Sequence, residues 1–295
     1  MNVLSWNCRG LGNQRAVQFL KEIVTQKKPK FIFLCETKCG KSRIDWVGRL
    51  LGFDCIFVVD PQGLSGGLAM LWKDGNEGSL LGFSHNHIDM RIVMEDGVLW
   101  RLIGLYGEPN RSRRENTWRL LKELAEDDTL PWCVIGDVNN ILSQEDQRGG
   151  HPYPRRLLEG FNNCLADCGL EDMEMLGYPF TWERSRGTDF WVEIRLDRVL
   201  YNSRWAAIFL ASKLVNLGTS SSDHCPIFLE PVAQPRFSTF HRFRFENAWL
   251  REPMCYQIVQ SCWEEITSGG IMNKLELCAS TLDQWGKEIT GNFKG

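Results

Sequence analysis

Residues 1–36 read MNVLSWNCRGLGNQRAVQFLKEIVTQKKPKFIFLCE, and they give the clearest indication of fold class. Residues 3–8 form one apolar run of strand length, and residues 30–35, KFIFLC, form another. The segment between them carries apolar side chains at helical spacing, at Ala16, Phe19, Leu20 and Ile23. A strand, a helix and a strand in this order indicate an α/β fold.

The rest of the sequence continues in mixed order. Helical patterns cover residues 44–51, 115–127 and 157–170. Apolar runs of strand length lie at residues 54–60, 68–72, 132–138, 190–201 and 225–231. Residues 88–94 alternate between apolar and polar side chains, and residues 95–97, EDG, supply a hairpin turn before residues 98–106. We therefore expect a sheet-on-sheet core covered by helices.

The composition is that of a folded globular protein. The chain has 295 residues, of which 43% are hydrophobic and 24% are charged, so it can bury a substantial core. No apolar run approaches the roughly 20 residues that span a bilayer, and the N-terminus lacks the charged and apolar regions of a signal peptide. We expect an intracellular protein of the nucleus or cytoplasm, not secreted and without a membrane partner.

Eleven cysteines lie between Cys8 and Cys278. Their number is odd and several fall inside apolar runs, which favours buried thiols over disulfides. The closest pairs are spaced C-x3-C, without a second pair or histidines nearby, so a zinc site is not expected. Cys225 is expected to be a buried strand residue without chemistry.

The charges of the chain nearly balance. Lys and Arg total 34 against 37 Asp and Glu, which gives a formal net charge of -3. This charge counts against indiscriminate binding of nucleic acid, because counterion release rewards a basic surface. It leaves room for a local basic rim.

A domain boundary is expected near Pro231 to Pro235, where the composition changes. Residues 1–231 would form the main domain. Residues 232–295 carry two amphipathic helical patterns, at 256–266 and 272–285, and are too few to bury much core alone. We interpret them as a helical connector, truncated from something longer.

Several strand-like runs end in polar side chains suited to phosphate or to a hard cation, and strand ends along one sheet edge converge. Hydrolysis of a phosphodiester needs a positioned water, a base or metal to activate it, and charge to stabilise the transition state. Carboxylates suit Mg²⁺, an imidazole held by a carboxylate suits proton handling, and amides and a phenol bind phosphate oxygens. The side chains concerned are Asn7, Glu36, Tyr106, Asp137, Asn139 and His224, with Asp197 as the partner of the imidazole.

Each of these residues alone has an ordinary explanation. A glutamate after a strand is commonly solvated, Asn and Asp in residues 136–140, GDVNN, are common turn formers, and residues 220–224, SSSDH, fit a polar loop. The complete set indicates a metal-assisted hydrolase, because unrelated loops rarely supply every part of such a site.

Seven ordered motifs resemble the endonuclease/exonuclease/phosphatase superfamily, and within it the endonuclease domain of plant-type non-LTR (LINE) retrotransposons. The resemblance covers residues 1 to about 230, and RFRFENAWL (242–250) is similar to the connector ahead of the reverse transcriptase in those elements. It implies a four-layered α/β sandwich, two packed mixed β-sheets flanked by helices, followed here by a C-terminal helical stub. The motifs are SWNCRGL (5–11), LCETK (34–38), GLYG (104–107), GDVNN (136–140), TW (181–182), RLDRVL (195–200) and SSDHCPI (221–227).

The resemblance implies Mg²⁺-dependent phosphodiester cleavage, with Mn²⁺ as an alternative ion, and DNA nicking in the retrotransposon branch. Glu36 matches the principal metal ligand, with Asn7 beside it. Asp223 matches an aspartate placed near the metal and the leaving group. These three residues are the expected metal site.

Five further residues match catalytic positions: Asp137, Asn139, Asp197, His224 and Tyr106. Asp137 would orient or deprotonate the attacking water, and Asn139 and Tyr106 would bind the phosphate. We expect Asp197 to steady His224, because adjacent side chains of an extended segment, here 223 and 224, point to opposite sides.

Three positions depart from the family pattern. Apurinic-site repair enzymes commonly have an acid where this chain has Arg9, so a second metal contact is lost. Val138 stands where the family often has phenylalanine, a core change that should be tolerated. Asn140 replaces a frequent acid, and the sequence offers no interpretation of that change.

A basic run follows Tyr106 closely, with four arginines between residues 111 and 119. Such a run is either a solvated helix start or a grip on the DNA backbone, and the sequence leaves both open. The loop ERSRGTD (183–189) would add to this grip if it overhangs the cleft. The candidate DNA contacts are Arg111, Arg113, Arg114, Arg184 and Arg186.

The leading hypothesis is a Mg²⁺-dependent DNA-nicking endonuclease derived from a retroelement, with DNA as partner and a reverse transcriptase downstream in a full-length element. A hydrolase of the same superfamily acting on lipid or small phosphates is one alternative. A catalytically silent remnant is another, because retroelement copies decay. The sequence predicts neither target preference nor oligomeric state.

Overall fold

The computed structural model describes residues 1–63, 66–126, 130–218, 222–232, 245–265 and 271–291. Its strands, numbered along the chain, are β1 (Val3–Asn7), β2 (Phe31–Cys35), β3 (Cys55–Val59), β4 (Leu68–Trp72), β5 (Gly78–Phe83), β6 (His87–Val93), β7 (Leu99–Tyr106), β8 (Trp132–Asp137), β9 (Gln147–Arg148), β10 (Leu170–Asp172), β11 (Met175–Leu176), β12 (Trp182–Arg184), β13 (Val192–Ile194), β14 (Asp197–Asn202), β15 (Lys213–Asn216) and β16 (Ile227–Glu230). Its α-helices are α1 (Gln14–Lys27), α2 (Lys41–Leu50), α3 (Glu115–Glu126), α4 (Arg155–Cys168), α5 (Ser203–Ile208), α6 (Pro253–Glu265) and α7 (Ile271–Gly291).

The opening strand, helix and strand form as predicted. Asn13 caps α1, because its side chain accepts a hydrogen bond from the Arg15 amide at 2.9 Å. The apolar face of α1 is buried, and the helix connects β1 to β2. The two strands pair in parallel with Asn7 opposite Cys35, so Asn7 and Glu36 emerge at the same sheet edge.

Two large mixed sheets form the centre of the fold. One orders seven strands as β11-β15-β16-β1-β2-β4-β3, and the other orders six strands as β10-β14-β8-β7-β6-β5. Their facing sides share one apolar core, which includes Phe33 and Met70 of the first sheet and Met90 and Leu102 of the second. The sheets approach closely at Gly104, where a Cβ atom would lie 2.1 Å from the Phe33 ring.

Helices cover the outer face of each sheet. On the seven-stranded sheet, Leu20 of α1 and Ile44 of α2 pack in one cluster with Leu34. On the six-stranded sheet, Leu121 of α3 and Phe161 of α4 pack in another cluster, which includes strand residues of β7, β8 and β14. The protein is therefore the four-layered α/β sandwich that the sequence predicts.

The predicted hairpin is present, but one predicted strand is wrong. β6 and β7 pair in antiparallel fashion on either side of residues 94–98. The run at residues 190–201 divides into β13, in a small sheet ordered β12-β13-β9, and β14, in the six-stranded sheet. The backbone N–H groups of Leu196 and Asp197 both donate to the Thr181 hydroxyl, at 3.0 and 2.9 Å, and this ends the pairing with β12. Alternation of side chains carries no sign of such a change of sheet.

The eleven cysteines are free thiols. Burial raises the pKa of Cys8 to about 12, in agreement with the prediction of buried thiols. Cys225 differs from its prediction, because it is half-buried and precedes β16. Pro226, which follows it, has no backbone N–H with which to extend the strand.

The chain divides into two units, Met1–Gln234 and Pro235–Gly295. The described part of the second unit contains a 3-10 turn at Asn247–Arg251 and the helices α6 and α7. Trp249 and Trp285 meet edge to face with ring centroids 5.8 Å apart. No helix in the described ranges combines the length and the hydropathy that crossing a membrane requires.

Candidate active site

Strand register brings polar side chains to one edge of the packed sheets. Asn7 ends β1, and Glu36 directly follows β2, its parallel neighbour. Tyr106 lies opposite Asp137 in the parallel pair of β7 and β8. Asp137 in turn lies opposite Asp197 in the antiparallel pair of β8 and β14. Sheet pairing, rather than nearness in sequence, therefore assembles these groups.

His224 is held between two aspartates. Its Nδ1 lies 2.9 Å from Asp197 Oδ2, and its Nε2 lies 3.8 Å from Asp137 Oδ2. The Trp6 indole N–H donates to the His224 carbonyl at 3.0 Å, and Trp182 forms a β-bridge with His224. The imidazole and both carboxylates are buried, so backbone and side chain are fixed together.

Asn7 connects Asp137 to Glu36, and Tyr106 also binds Glu36. The Asn7 Nδ2 donates to Asp137 Oδ2 at 2.9 Å and to Glu36 Oε1 at 3.2 Å. The Tyr106 hydroxyl donates to the same Glu36 oxygen at 2.8 Å. Asn7 thus presents N–H groups to both acids, and it must turn its amide over to give an oxygen ligand to a metal ion.

Two cations that the sequence reasoning left without a role lie against Glu36. Arg9 Nη1 is 3.5 Å from Glu36 Oε1 and Arg9 Nε is 3.1 Å from Asp223 Oδ1, so one guanidinium bridges two expected metal ligands. Lys38 Nζ lies 3.0 Å from Glu36 Oε2. Arg9, Glu36 and Lys38 adopt left-handed backbone conformations with φ of 50°, 49° and 49°. The motif spacing gives no sign of these local turns.

Glu36 is an ionised carboxylate at neutral pH. Burial opposes its ionisation, but hydrogen bonds from Lys38, Tyr106 and Asn7 outweigh burial and lower the pKa of Glu36 to about 2. Burial and the charge of Glu36 raise the pKa of Tyr106 well above its usual value. Tyr106 therefore stays a phenol, and its hydroxyl remains a donor.

His224 and Asp137 have pKa values that both lie above their ordinary ones. Burial would lower the pKa of His224, but the carboxylates of Asp197 and Asp137 raise it to about 9, so the ring is protonated at neutral pH. Burial raises the pKa of Asp137, against the opposing charge of His224. A carboxylate that binds a proton more readily than usual is suited to accept one from water.

Two groups of side chains offer ligand atoms to a metal ion. Asp137, Asp197 and His224 form a buried cluster of described residues whose ligand atoms lie within 4.8 Å of one another. Nδ1 of His224 already forms a hydrogen bond of 2.9 Å with Asp197, so that nitrogen is not free to bind a metal ion. The second group is Glu36 and Asp223, two carboxylates that both contact the Arg9 guanidinium. Because hard divalent ions prefer oxygen ligands, this group fits such an ion better.

The site opens onto a cavity of about 900 Å³. Three predicted DNA-contacting arginines lie in its wall, while Arg113 and Arg186 are outside the described residues that line it. Asp223 and Arg186 line a smaller neighbouring cavity together with Trp182. The site residues that line the larger cavity are Arg9, Glu36, Asp137, Asn139, Arg111, Arg114, Arg184 and His224.

A family comparison agrees with this arrangement. The sequence profile of the Endonuclease/Exonuclease/phosphatase family matches residues 4–224, more than half of the chain. The chain belongs to this family. Members of the endonuclease/exonuclease/phosphatase family are hydrolases that include nucleases and phosphatases, and its nucleases depend on divalent metal ions.

Solved structures of this family's fold resemble the protein over most of its length. The 3'-5' exonuclease NExo from Neisseria meningitidis is 20% identical, with a TM-score of 0.59 over 78% of this chain and 99% of that chain. The endonuclease domain of TRAS1, a telomere-specific non-LTR retrotransposon, is 16% identical, with a TM-score of 0.60 over 79% of this chain and 99% of that chain. An AP endonuclease from Archaeoglobus fulgidus is 14% identical, with a TM-score of 0.60 over 80% and 100%. These identities show the shared fold alone, and no curated protein matches the chain.

Two asparagines of this family member have different environments. The Asn139 Nδ2 donates to the Gly107 carbonyl at 2.9 Å, and the residue faces the cavity. Asn140 is buried, and its Oδ1 accepts from the Trp118 indole at 3.2 Å while its Nδ2 donates to the Val138 carbonyl at 2.8 Å. Asn140, which the sequence left without interpretation, thus ties α3 to the end of β8.

Proposed function

We propose that the protein is a Mg²⁺-dependent endonuclease that nicks DNA and derives from a non-LTR retrotransposon. The observation that carries the proposal is a buried cluster: Asn7 donates hydrogen bonds to both Glu36 and Asp137, and the hydrogen-bonded Asp197–His224 pair lies beside them, with His224 Nε2 3.8 Å from Asp137 Oδ2. This group is buried at one sheet edge and opens onto a cavity with arginines in its wall. The acidic residues at the base of the cavity can hold a metal ion and accept a proton, and the arginines around them can bind the phosphates of a polyanion.

His224, Asn139 and Tyr106 would stabilise the phosphate. The protonated ring of His224 has Nδ1 bound to Asp197, which leaves Nε2 to contact a phosphate oxygen. Charge-assisted hydrogen bonds of this kind strengthen as negative charge develops in the transition state. The Tyr106 hydroxyl and the Asn139 amide add neutral donors.

Asp137 would accept the proton of the attacking water. As the water oxygen bonds to phosphorus, its proton passes to the carboxylate and one ester P–O bond of the phosphodiester breaks; the departing ester oxygen keeps the electron pair and takes a proton from solvent. The Asn7 Nδ2 holds Asp137 Oδ2 in place at 2.9 Å. The Asn139 backbone N–H holds the other oxygen at 3.0 Å, so the carboxylate cannot rotate freely.

Glu36, Asp223 and Asn7 would hold Mg²⁺, which when bound polarises phosphate oxygens. Release of Glu36 by Arg9 and Lys38 must accompany binding, and both side chains reach solvent, with exposures of 47% and 33%. A turn of the Asn7 amide would offer its oxygen. These changes involve side chains alone and need no movement of β1 or β2.

The cavity wall favours DNA over a small phosphate. Arg111 precedes α3 and Arg184 ends β12, so cationic side chains come from two separate segments around the floor. Phe190, in the same wall, is 81% exposed and offers an aromatic face to a base or sugar. Arg113 and Arg186 remain candidate contacts outside the cavity. Retroelement origin is supported by the motif order.

A substrate comparison tests the proposal against its alternatives. Purified protein is incubated with supercoiled plasmid, with phosphoinositide vesicles and with a chromogenic phosphomonoester, each with Mg²⁺ and with a chelator. We expect the protein to convert the plasmid to open circles in Mg²⁺ but not in chelator, and to leave the vesicles and the phosphomonoester unchanged. Phosphoinositide hydrolysis without nicking would support the lipid alternative, and inactivity on all three would support a silent remnant.

A further inference from the structure

Arg114 is a buried cation beside the active site. It lies directly after the 3-10 turn Arg111–Arg113, and its carbonyl accepts hydrogen bonds from the amides of Thr117 and Trp118 at 3.0 and 3.4 Å, so its backbone is fixed at the start of α3. The residue is only 6% exposed. Its guanidinium carbon lies 5.4 Å from the centre of the buried Tyr153 ring.

This guanidinium lacks the anionic partner that other buried arginines have. Arg101 pairs with Asp89 at 2.6 Å, and Arg198 pairs with Asp146 and Asp172 at 2.5 and 2.7 Å. Within the part of the chain that the structure describes, Nε and Nη1 of Arg114 are buried without a hydrogen-bond partner, and no carboxylate pairs with the residue. A buried charge that is neither paired nor hydrogen-bonded is strongly unfavourable.

A second cation, Arg111, increases the electrostatic cost of burying the Arg114 charge. The guanidinium carbon of Arg111 lies 5.1 Å from the centre of the same Tyr153 ring, so two arginines contact one aromatic side chain. Burial and the charge of Arg111 lower the pKa of Arg114 to about 10, which leaves it protonated at neutral pH. Both arginines line the cavity onto which Asp137 and His224 open. An anion between the two would relieve the repulsion and supply acceptors for the orphaned N–H groups.

We infer that Arg114 and Arg111 form a preformed subsite for a DNA backbone phosphate other than the one cleaved. The inference rests on the proposed function, because DNA brings phosphates in series while the floor at Glu36 and His224 takes the scissile one. A guanidinium fork matches phosphate geometry, and the contact with the buried Tyr153 ring holds the Arg114 guanidinium in place before DNA arrives. The subsite is a positioning element for the strand and takes no part in proton transfer.

The basic run therefore divides by geometry. Arg111 and Arg114 face the cavity, whereas Arg119 is 71% exposed and lies 3.7 Å from Glu123 on the outer side of α3. Arg119→Gln removes the same charge five residues along the chain, within α3, and is the matched control for Arg114→Gln.

Binding of a short duplex in chelator, measured as a function of salt, tests the subsite. Arg114→Gln should raise the Kd about tenfold and lower the slope of log K against log salt by about one. Under nicking conditions the KM should rise while kcat stays within about twofold, because the group binds substrate and transition state equally. Arg119→Gln should change the Kd by less than about twofold. Equal slopes for Arg114→Gln and Arg119→Gln would overturn the subsite.

Thermal unfolding separates this role from a purely structural one. Arg114→Gln should keep or raise the Tm, because it removes a buried cation whose charge Asp137 and Glu108 offset only in part. A lowered Tm with unchanged DNA affinity would show that Arg114 serves only to pack on Tyr153. If the glutamine variant does not fold, Arg114→Lys keeps the charge and loses the fork. The Tm of each protein is then measured in inorganic phosphate and in chloride of equal ionic strength. Phosphate should raise the Tm of the wild type relative to chloride and should leave the Tm of the lysine variant unchanged. Equal shifts in the two proteins would overturn the subsite.

The two proposals can fail separately. Arg114-dependent DNA binding without any nicking would contradict the proposed chemistry and leave the subsite standing. Metal-dependent nicking with a salt slope insensitive to Arg114 would contradict the subsite alone.

Discussion

Asp197 Oδ2 lies 2.9 Å from His224 Nδ1, although 27 positions separate the two residues in the chain. Asp197 is fixed by its place at the start of β14 and by the Thr181 hydroxyl, and His224 is fixed by its bridge to Trp182. One ring nitrogen is therefore bound, and the other faces Asp137 at 3.8 Å. Asp197 orients and charges the imidazole, while Nε2 is left for chemistry.

Asp197→Asn should lower the pKa of His224 well below its wild-type value of about 9. The amide keeps the shape of the side chain but removes the negative charge that raises the pKa of His224 against the effect of burial. Titration of the His224 ring by NMR measures the shift, and nicking should fall about a hundredfold or more at neutral pH. Asp45→Asn, on α2, is the control. An unchanged His224 pKa would contradict the role assigned to Asp197.

The raised pKa of His224 also predicts a pH dependence of stability. The folded ring has a pKa of about 9 against an ordinary value of 6.5, so the folded state binds this proton more tightly than the unfolded state. The resulting stabilisation is complete below pH 6.5 and is lost as the pH rises through about 9. Denaturant unfolding of wild type and His224→Gln on both sides of this window measures it. The difference in unfolding free energy should shrink at the higher pH, and a constant difference would contradict the prediction.

Arg9→Gln should strengthen binding of a divalent cation about tenfold. Arg9 contacts both Glu36 and Asp223, so it competes with an ion for the same carboxylates. Calorimetry with Mg²⁺ or Ca²⁺ in the absence of DNA gives the affinity directly. Arg15→Gln, exposed on α1, controls for the loss of one positive charge. Weaker binding by Arg9→Gln would show that Arg9 supports the ion site instead of competing for it.

Asp89→Asn should lower the free energy of unfolding by about 3–5 kcal/mol. Asp89 and Arg101 are both buried in the pairing of β6 with β7, with Arg101 Nη2 and Nε at 2.6 and 2.9 Å from the carboxylate. Loss of the carboxylate charge removes the counterion that Asp89 supplies to this buried guanidinium. Denaturant unfolding measures the change, with Asp45→Asn as an exposed-pair control expected to cost up to about 1 kcal/mol. A loss for Asp89→Asn no larger than the control's would contradict this assignment.

Much of the fold could be predicted because its signals are periodic and local. Apolar runs and helical spacing are enough to identify β1, α1 and β2, and parallel pairing then places Asn7 beside Glu36. The division of residues 190–201 between two sheets could not be predicted, since it depends on a hydroxyl at Thr181 that accepts two backbone N–H groups.

The candidate site was predictable as a set of residues and less so as a set of contacts. The motifs place Glu36, Asp137 and His224 at strand ends, and the structure brings them together. The bridge from Arg9 to Glu36 and Asp223 depends on left-handed backbone conformations at Arg9 and Glu36, and no residue pattern in the sequence predicts these conformations. The arginines at 111 and 114 likewise look equivalent to Arg113 and Arg119 in sequence, and only the position of Tyr153 separates them.

Conversion of supercoiled plasmid to open circles, by wild type and by Glu36→Gln and His224→Gln, tests the central claim most directly. Glu126→Gln, an exposed acid near the end of α3, serves as the matched control. We predict Mg²⁺-dependent nicking that a chelator stops, that both site substitutions abolish and that the control retains. Nicking by Glu36→Gln and His224→Gln at the rate of the wild type would contradict the assignment of this site as the catalytic centre.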